Sequence, residues 1–168
     1  MQPEHPINPI QWAQQQLSQF GRIGATRIMA VPALPASVPI SSPGVTAPLL
    51  TFRDSGTVIA LYAQELSGAI AKFASTGLRL QFPGDEDFVS NGQAGTFAPL
   101  LALVGPNTNW FPMTRRVRRG DNWTVSYNNN DAAAVADPSC FFAFIADEDI
   151  GRVQREMAED MAARRAGR

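Results

Sequence analysis

Four arginines crowded into five positions form the most conspicuous chemical group of the sequence: Arg115, Arg116, Arg118 and Arg119. Two aromatic side chains, Trp123 and Tyr127, follow within a few residues. A basic segment beside an aromatic one is typical of sheets that bind nucleic acid, where arginine contacts phosphate and the rings stack on bases. The same residues also suit two strands of a structural β-sandwich whose arginines hydrogen-bond to a neighbouring subunit.

The charge balance helps to distinguish these two functions. The chain has 168 residues and a formal net charge of -1, with 14 basic residues against 15 acidic ones. Nucleic-acid-binding proteins usually carry a clear positive excess, because neutralising phosphates supplies most of their affinity. The balance therefore disfavours nucleic acid as a partner. Lys72 is the single lysine, and this preference for arginine suits protein interfaces, although a GC-rich genome would give the same bias.

Strand geometry divides the arginine cluster. Because alternate side chains of a strand point to opposite faces, Arg115, Val117 and Arg119 are expected on one face, and Arg116 and Arg118 on the other. A turn at Gly120 and Asp121 then leads into an adjacent strand, whose core-facing residues are predicted to be Trp123, Val125 and Tyr127. We therefore predict that the aromatic side chains are core residues and that the four arginines contact neighbouring subunits.

Other kinds of chemistry have few residues to use. His5 and Cys140 are the single histidine and the single cysteine, so a Ser-His-Asp or Cys-His catalytic group is not expected. The loop from Asp85 through Glu86 to Asp87 is either a Ca²⁺ site or a solvated turn, and its spacing favours the turn. No phosphate-binding, dinucleotide-binding or hydrolase motif appears. We predict that the protein is not an enzyme and binds no cofactor or metal ion.

The first 48 residues predict a helix followed by an extended arm. Asn8 can cap a helix that starts at Pro9 and ends at Gly21. Prolines then recur every three to five residues from Pro32 to Pro48, which prevents a helix and disfavours a central strand. Such an apolar extended arm lies on its own domain or on a neighbour. We favour a neighbouring subunit, contacted through Val31, Leu34, Val38 and Ile40.

Residues 49–147 alternate short strand patterns with turn signals. The segment "GLRLQF" places Leu78, Leu80 and Phe82 on one face, while "FAPLLALV" and "CFFAFIA" are apolar enough for buried strands. About seven or eight such segments predict an all-β domain, an antiparallel β-sandwich or jelly roll.

Residues 148–168 predict a C-terminal helix. Acidic residues stand at its start and arginines at its end, as the helix dipole favours. Its apolar stripe is narrow, which suits a helix that lies in a surface groove or contacts another subunit. The predicted interface residues of this helix are Val153, Met157 and Met161.

The segments "FPMTRRVRRGDNWTVSYNNND" and "CFFAFIADED" resemble the closing half of a phage head decoration or cement-type jelly-roll protein. The similarity is good over residues 111–147 and loose over residues 49–147. It implies a structural role in a virion, with terminal arms that reach adjacent subunits on the capsid lattice. It carries no catalytic residues over to this chain.

Together these features predict a homo-oligomeric bacteriophage virion protein, most specifically a capsid decoration or cement protein. Its expected partners are the major capsid protein or other virion subunits, and its expected location is the virion, reached through the host cytoplasm during assembly. No apolar segment approaches the ~20 residues of a membrane span. The alternative is a tail- or fibre-associated sandwich that binds a glycan or receptor, with Trp110 and Trp123 beside the Asp85–Asp87 loop.

Overall fold

The computed structural model describes residues 8–20, 27–31, 44–46, 49–65, 75–84, 87–89, 97–100, 110–131 and 136–167. In chain order, the helices and strands of this part are α1 (Pro9–Phe20), β1 (Arg27–Val31), β2 (Gly44–Thr46), β3 (Leu49–Thr51), β4 (Gly56–Glu65), β5 (Thr76–Gln81), β6 (Asp87–Val89), β7 (Ala98–Pro99), β8 (Phe111–Val117), β9 (Asn122–Asn129), β10 (Pro138–Ala146), a 3-10 turn (Asp147–Asp149) and α2 (Ile150–Ala166).

The strands form two antiparallel sheets. The four-stranded sheet has the order β1-β10-β4-β8. The six-stranded sheet is built on β9 and β5, where β2 and β3 pair with different parts of β9, and β6 and β7 pair with different parts of β5. The predicted all-β antiparallel sandwich with a helix before and after it is therefore confirmed.

The main core fills the space between the sheets. Trp123 is 1% exposed and packs its ring against Phe52, Phe82 and Phe142, with centroid separations of 4.8, 4.4 and 5.6 Å. Leu78, Leu80, Val125 and Tyr127 are also buried, as strand alternation predicts. Aromatic pairs tilted in this way add to the free energy gained from burying their area.

A second core lies on the outer face of the four-stranded sheet, beneath the two helices. Ala13 and Leu17 of α1 and Val153 of α2 pack there on β4 and β10. Since the sheet is covered on both faces, β10 is buried along most of its length, which explains its nearly continuous apolar sequence. The Asn8 cap is confirmed, because Asn8 Oδ1 accepts the Ile10 N–H at 2.9 Å.

A β-bulge in β4 fits α1 to the sheet. Phe144 of β10 pairs with Val58 and Ala143 pairs with Ala60, so Ile59 is an extra residue. Ile59 and Ala60 consequently both face the helices. The side-chain amide of Gln14 lies over this point and donates to the backbone carbonyls of Ile59 and Met113, each at 2.9 Å.

Three details of the predicted elements are wrong. The arm over residues 1–48 was expected outside the sandwich, yet β1 and β2 lie within its two sheets. Neither strand contains a proline, since β1 ends directly before Pro32 and β2 lies between Pro43 and Pro48. The strand predicted for "FAPLLALV" is only Ala98–Pro99, and Leu100 is already helical, while residues 101–109 lie outside the described part. Finally, β8 and β9 were expected side by side, but they belong to opposite sheets.

Candidate subunit interface at the arginine turn

Two chain crossings lie next to each other at one end of the sandwich, here called the crossover end. Residues 52–55 carry the chain from β3 to β4, and residues 118–121 carry it from β8 to β9, each from one sheet to the other. Phe52 N–H donates to the Asp121 carbonyl at 3.0 Å, and Gly120 N–H donates to the Phe52 carbonyl at 2.8 Å. These paired backbone bonds fix the two crossings to each other.

The second crossing, residues 118–121, is a tight turn that we call the arginine turn. Asp121 N–H donates to the Arg118 carbonyl at 3.0 Å, and Arg118 N–H donates to Asp121 Oδ2 at 2.8 Å. Gly120 has a φ of 91°, a conformation that side chains with a Cβ disfavour. Arg118 and Arg119 are exposed at the tip of this turn. They therefore lie in a turn rather than on the two strand faces predicted for them.

The other two arginines of the cluster contact groups of their own chain. Arg115 is half-buried on the core side of β8, with its guanidinium carbon 4.4 Å from the centroid of the Phe82 ring. Such a cation–π contact stabilises a charge at the margin of the core. Arg116 is exposed on the opposite face. The predicted division of these two arginines between faces is correct.

Arg116 forms a two-pronged ion pair with Asp147. Its Nη1 and Nη2 atoms donate to Asp147 Oδ1 and Oδ2, both at 2.5 Å. These hydrogen bonds hold the pKa of Asp147 below its ordinary value and raise the pKa of Arg116. The pair ties the edge strand β8 to the 3-10 turn that precedes α2.

Arg27 is a second charged centre, which the sequence reasoning missed. Its guanidinium bonds to Asp54 at 2.6 Å, to Asp149 at 3.0 Å and to Glu148. The hydrogen bond that Arg27 donates to Glu148 is the main cause that raises the pKa of Arg27. The acidic run at residues 147–149 was visible in the sequence, but nothing there links it to a residue about 120 positions away.

Two of the predicted interface residues are instead core residues of this chain. Val31 is 2% exposed and lies in the main core, and Val153 is buried beneath α2 in the second core. Val31 is buried because β1 pairs with β10 inside the sheet, and Val153 because α2 packs on the sheet. Met157 and Met161 are half-buried on α2. Leu34, Val38 and Ile40 lie outside the described residues.

A cleft opens beside the arginine turn on the outer side of the six-stranded sheet. It has a volume of about 310 Å³ and is lined by Leu49, Gln81, Phe82, Pro83, Gly120, Asp121, Asn122 and Thr124. Its polar side chains come from β5, β9 and the arginine turn, so it depends on the crossing geometry rather than on one sequence motif. Sequence reasoning did not find this cleft.

The structure changes the predicted glycan site. Trp123 belongs to the core and is not a surface platform, while Trp110 is half-buried against Tyr62. The positions of Asp85 and Glu86 lie outside the described residues. Among the residues that are described, no three or more His, Cys, Asp or Glu side chains are grouped so that they could hold a metal ion.

Comparison with known proteins does not assign this chain to a family. The chain matches no protein-family model, no curated protein and no solved structure. In the part of the chain that the structure describes, no helix combines the length and the apolar character needed to cross a membrane. The function must therefore be inferred from the strand arrangement and from the chemistry of the surface.

Proposed function

We propose that this chain is a structural protein of a bacteriophage virion, a capsid decoration or cement protein whose sandwich is a jelly roll. The observation that supports it most is the order in which the strands pair. The outermost pair is β1 with β10, followed inward by β2 and β3 with β9, β4 with β8, and β5 with β6 and β7.

This nested pairing is the pattern of one long antiparallel hairpin folded over on itself. Successive pairs alternate between the sheets, since the first and third are in the four-stranded sheet and the second and fourth in the six-stranded one. This connectivity supports the proposed jelly roll, an architecture shared by viral capsid domains, lectins and cupins. Among these roles, we favour the virion because residues 111–147 resemble phage head decoration proteins.

The arginine turn supports a role at a subunit contact. Arg118 and Arg119 are exposed on a backbone that is fixed by bonds to Phe52 and Ser55, so their attachment points are rigid. Arginine is enriched at the centre of protein interfaces because its planar group makes several hydrogen bonds at once. We propose that these two side chains bind carboxylates or backbone carbonyls of the major capsid protein or of another copy of this chain.

The proposal is tested by co-sedimentation with capsids. Heads assembled from the major capsid protein of the same genome are mixed with the purified chain, pelleted, and washed at rising salt. We expect the chain to pellet with heads, and the variant Arg118→Ala/Arg119→Ala to bind at least about tenfold more weakly. Arg53→Ala is the matched control, because Arg53 is exposed on the neighbouring crossing.

Light scattering of the free chain tests the predicted homo-oligomer. A chain that stays monomeric and also fails to pellet with heads contradicts the proposed function. Equal binding by the double variant and the parent contradicts only the role given to the arginine turn.

A further inference from the structure

We propose that the cleft beside the arginine turn is a binding site for a neutral sugar unit. The site shares Gly120 and Asp121 with the arginine turn, but it does not use the Arg118 and Arg119 side chains of the capsid contact proposed above and does not depend on that contact. The inference rests on three polar side chains that are oriented by hydrogen bonds within the chain, on the hydroxyl of Thr124, and on one exposed apolar wall.

Two amide side chains of the cleft are held in place by bonds within the chain. Thr51 Oγ1 donates to Asn122 Oδ1 at 2.6 Å, and an Arg79 guanidinium nitrogen donates to Gln81 Oε1 at 2.7 Å. Because each amide oxygen accepts a bond from within the chain, these contacts orient the amide groups and leave the nitrogens of Asn122 and Gln81 as donors for a ligand. Each nitrogen can donate two hydrogen bonds.

The remaining polar groups supply acceptors. Asp121 lines the cleft, and its Oδ2 accepts the Arg118 N–H at 2.8 Å, which orients the carboxylate and leaves Oδ1 as a further acceptor. Thr124 contributes a hydroxyl that can donate or accept. The lining of the cleft therefore holds both donors and acceptors, as the adjacent hydroxyls of a sugar ring require.

An apolar wall completes the site. Leu49 is 64% exposed and lines the cleft together with Pro83. One apolar surface with a few convergent polar groups is the usual design of a small-molecule site, and a volume of about 310 Å³ falls in its lower range. The Asp121 carboxylate disfavours an anion, and the mixture of donors and acceptors disfavours a simple cation. A neutral polyhydroxylated ligand fits both conditions.

The backbone around the cleft is rigid, which favours binding of a small ligand. The Asp121 carbonyl accepts the Phe52 N–H, and Leu49 pairs with Thr124 in the sheet. A preformed site loses little free energy in ordering its side chains on binding. Because the cleft is open, we expect dissociation constants of about 1 mM for single sugars.

The test is a titration of the ¹⁵N-labelled full chain, followed by NMR. The probes are methyl α-glucoside, methyl α-mannoside, methyl β-galactoside and N-acetylglucosamine, each raised to about 50 mM. At least one probe is expected to shift the backbone amides of Asn122 and Thr124 and the side-chain amides of Gln81 and Asn122. The best probe is then titrated against variants.

Gln81→Met and Thr124→Val remove one hydrogen-bonding group each with little change of shape. Each is expected to weaken binding about fivefold to tenfold. Gln154→Met is the matched control, because Gln154 is exposed on α2, away from the cleft, and it should leave the affinity unchanged. The unperturbed part of each spectrum reports whether a variant is folded.

Three results would overturn the inference. The first is that none of the four probes shifts amides of the cleft. The second is that binding is unchanged in both Gln81→Met and Thr124→Val. The third is that inorganic phosphate or an extended peptide shifts the same amides more strongly than any sugar, which would assign the cleft to another class of ligand.

Discussion

Arg116 and Asp147 face each other end-on, with two hydrogen bonds of 2.5 Å from the Nη1 and Nη2 atoms of the guanidinium to the two carboxylate oxygens. One residue belongs to the edge strand β8 and the other to the 3-10 turn before α2. Both side chains are more than a third exposed, at 60% and 50%, so solvent screens the pair. The contact therefore positions the start of α2 more than it stabilises the whole fold.

The pH dependence of this pair follows from the lowered pKa of Asp147. The stability that the pair contributes is present above the ordinary pKa of 3.8 and is lost as the pH falls through the lower pKa of the folded state. We expect Arg116→Gln to lower the Tm slightly at about pH 7, and we expect this difference to vanish at about pH 2. Thermal unfolding over this range measures it. In Arg53→Gln, the control, no such pH-dependent difference should appear.

Tyr127 links the main core to β1 through a buried hydrogen bond. Its hydroxyl donates to the Val31 carbonyl, and burial raises the pKa of the phenol, which keeps it protonated. Tyr127→Phe leaves this buried carbonyl without its donor, so we expect a loss of about 1–3 kcal/mol in the free energy of unfolding. Hydrogen exchange of β1 should accelerate. Tyr62→Phe, at a half-buried tyrosine, is the control, and equal effects from both variants would refute this role.

Gln14 anchors α1 to the bulge in β4. Gln14→Ala removes the donor to the Ile59 and Met113 carbonyls, and the expected loss is about 1–3 kcal/mol in urea unfolding. Gln11→Ala is matched in type and lies on the same helix, but Gln11 is exposed and should change the free energy by less than about 0.5 kcal/mol. A smaller effect at residue 14 than at residue 11 would show that α1 is held by apolar contacts alone.

Gly56 lies where β4 and β10 approach each other closely. A Cβ there would lie 2.3 Å from the Ile145 carbonyl oxygen and 2.5 Å from the Phe144 ring. We expect Gly56→Ala to destabilise the protein by about 1–3 kcal/mol. Gly151→Ala should act in the opposite direction, by up to about 1 kcal/mol, because that helical position is open. Urea unfolding of both variants measures the sign of each change in the free energy of unfolding. Stabilisation by Gly56→Ala would contradict the close approach.

The sequence predicted individual helices and strands correctly where a capping residue or a regular alternation of apolar residues was present. Asn8 and Pro9 gave the start of α1, and alternation gave the buried faces of β5 and β9. The sequence reasoning missed β1, because this strand of five residues ends directly before Pro32 and is too short to show a clear period. The regular prolines therefore suggested an arm where part of the segment is a strand.

The pattern of residues along a strand does not show to which of the two sheets that strand belongs. The alternation of Arg115 and Arg116 shows that their side chains lie on opposite faces of β8. It does not show which strand pairs with β8. The Gly120 turn has the appearance of a hairpin in the sequence, yet its backbone bonds go to Phe52 and so direct β9 into the other sheet. The charged cluster around Arg27 and the cleft near Asn122 both depend on this arrangement, which long-range packing determines.

Both helices cover the same outer face of the four-stranded sheet, and Trp12 of α1 donates its indole N–H to Asp160 of α2 at 3.1 Å. The start of α1 and the far half of α2 are thus neighbours on one side of the molecule. A peptide or fluorophore attached through either helix would project from that side, leaving the cleft and the arginine turn uncovered. A molecule can therefore be attached to the helix-covered face without blocking the proposed contacts of the cleft and the arginine turn.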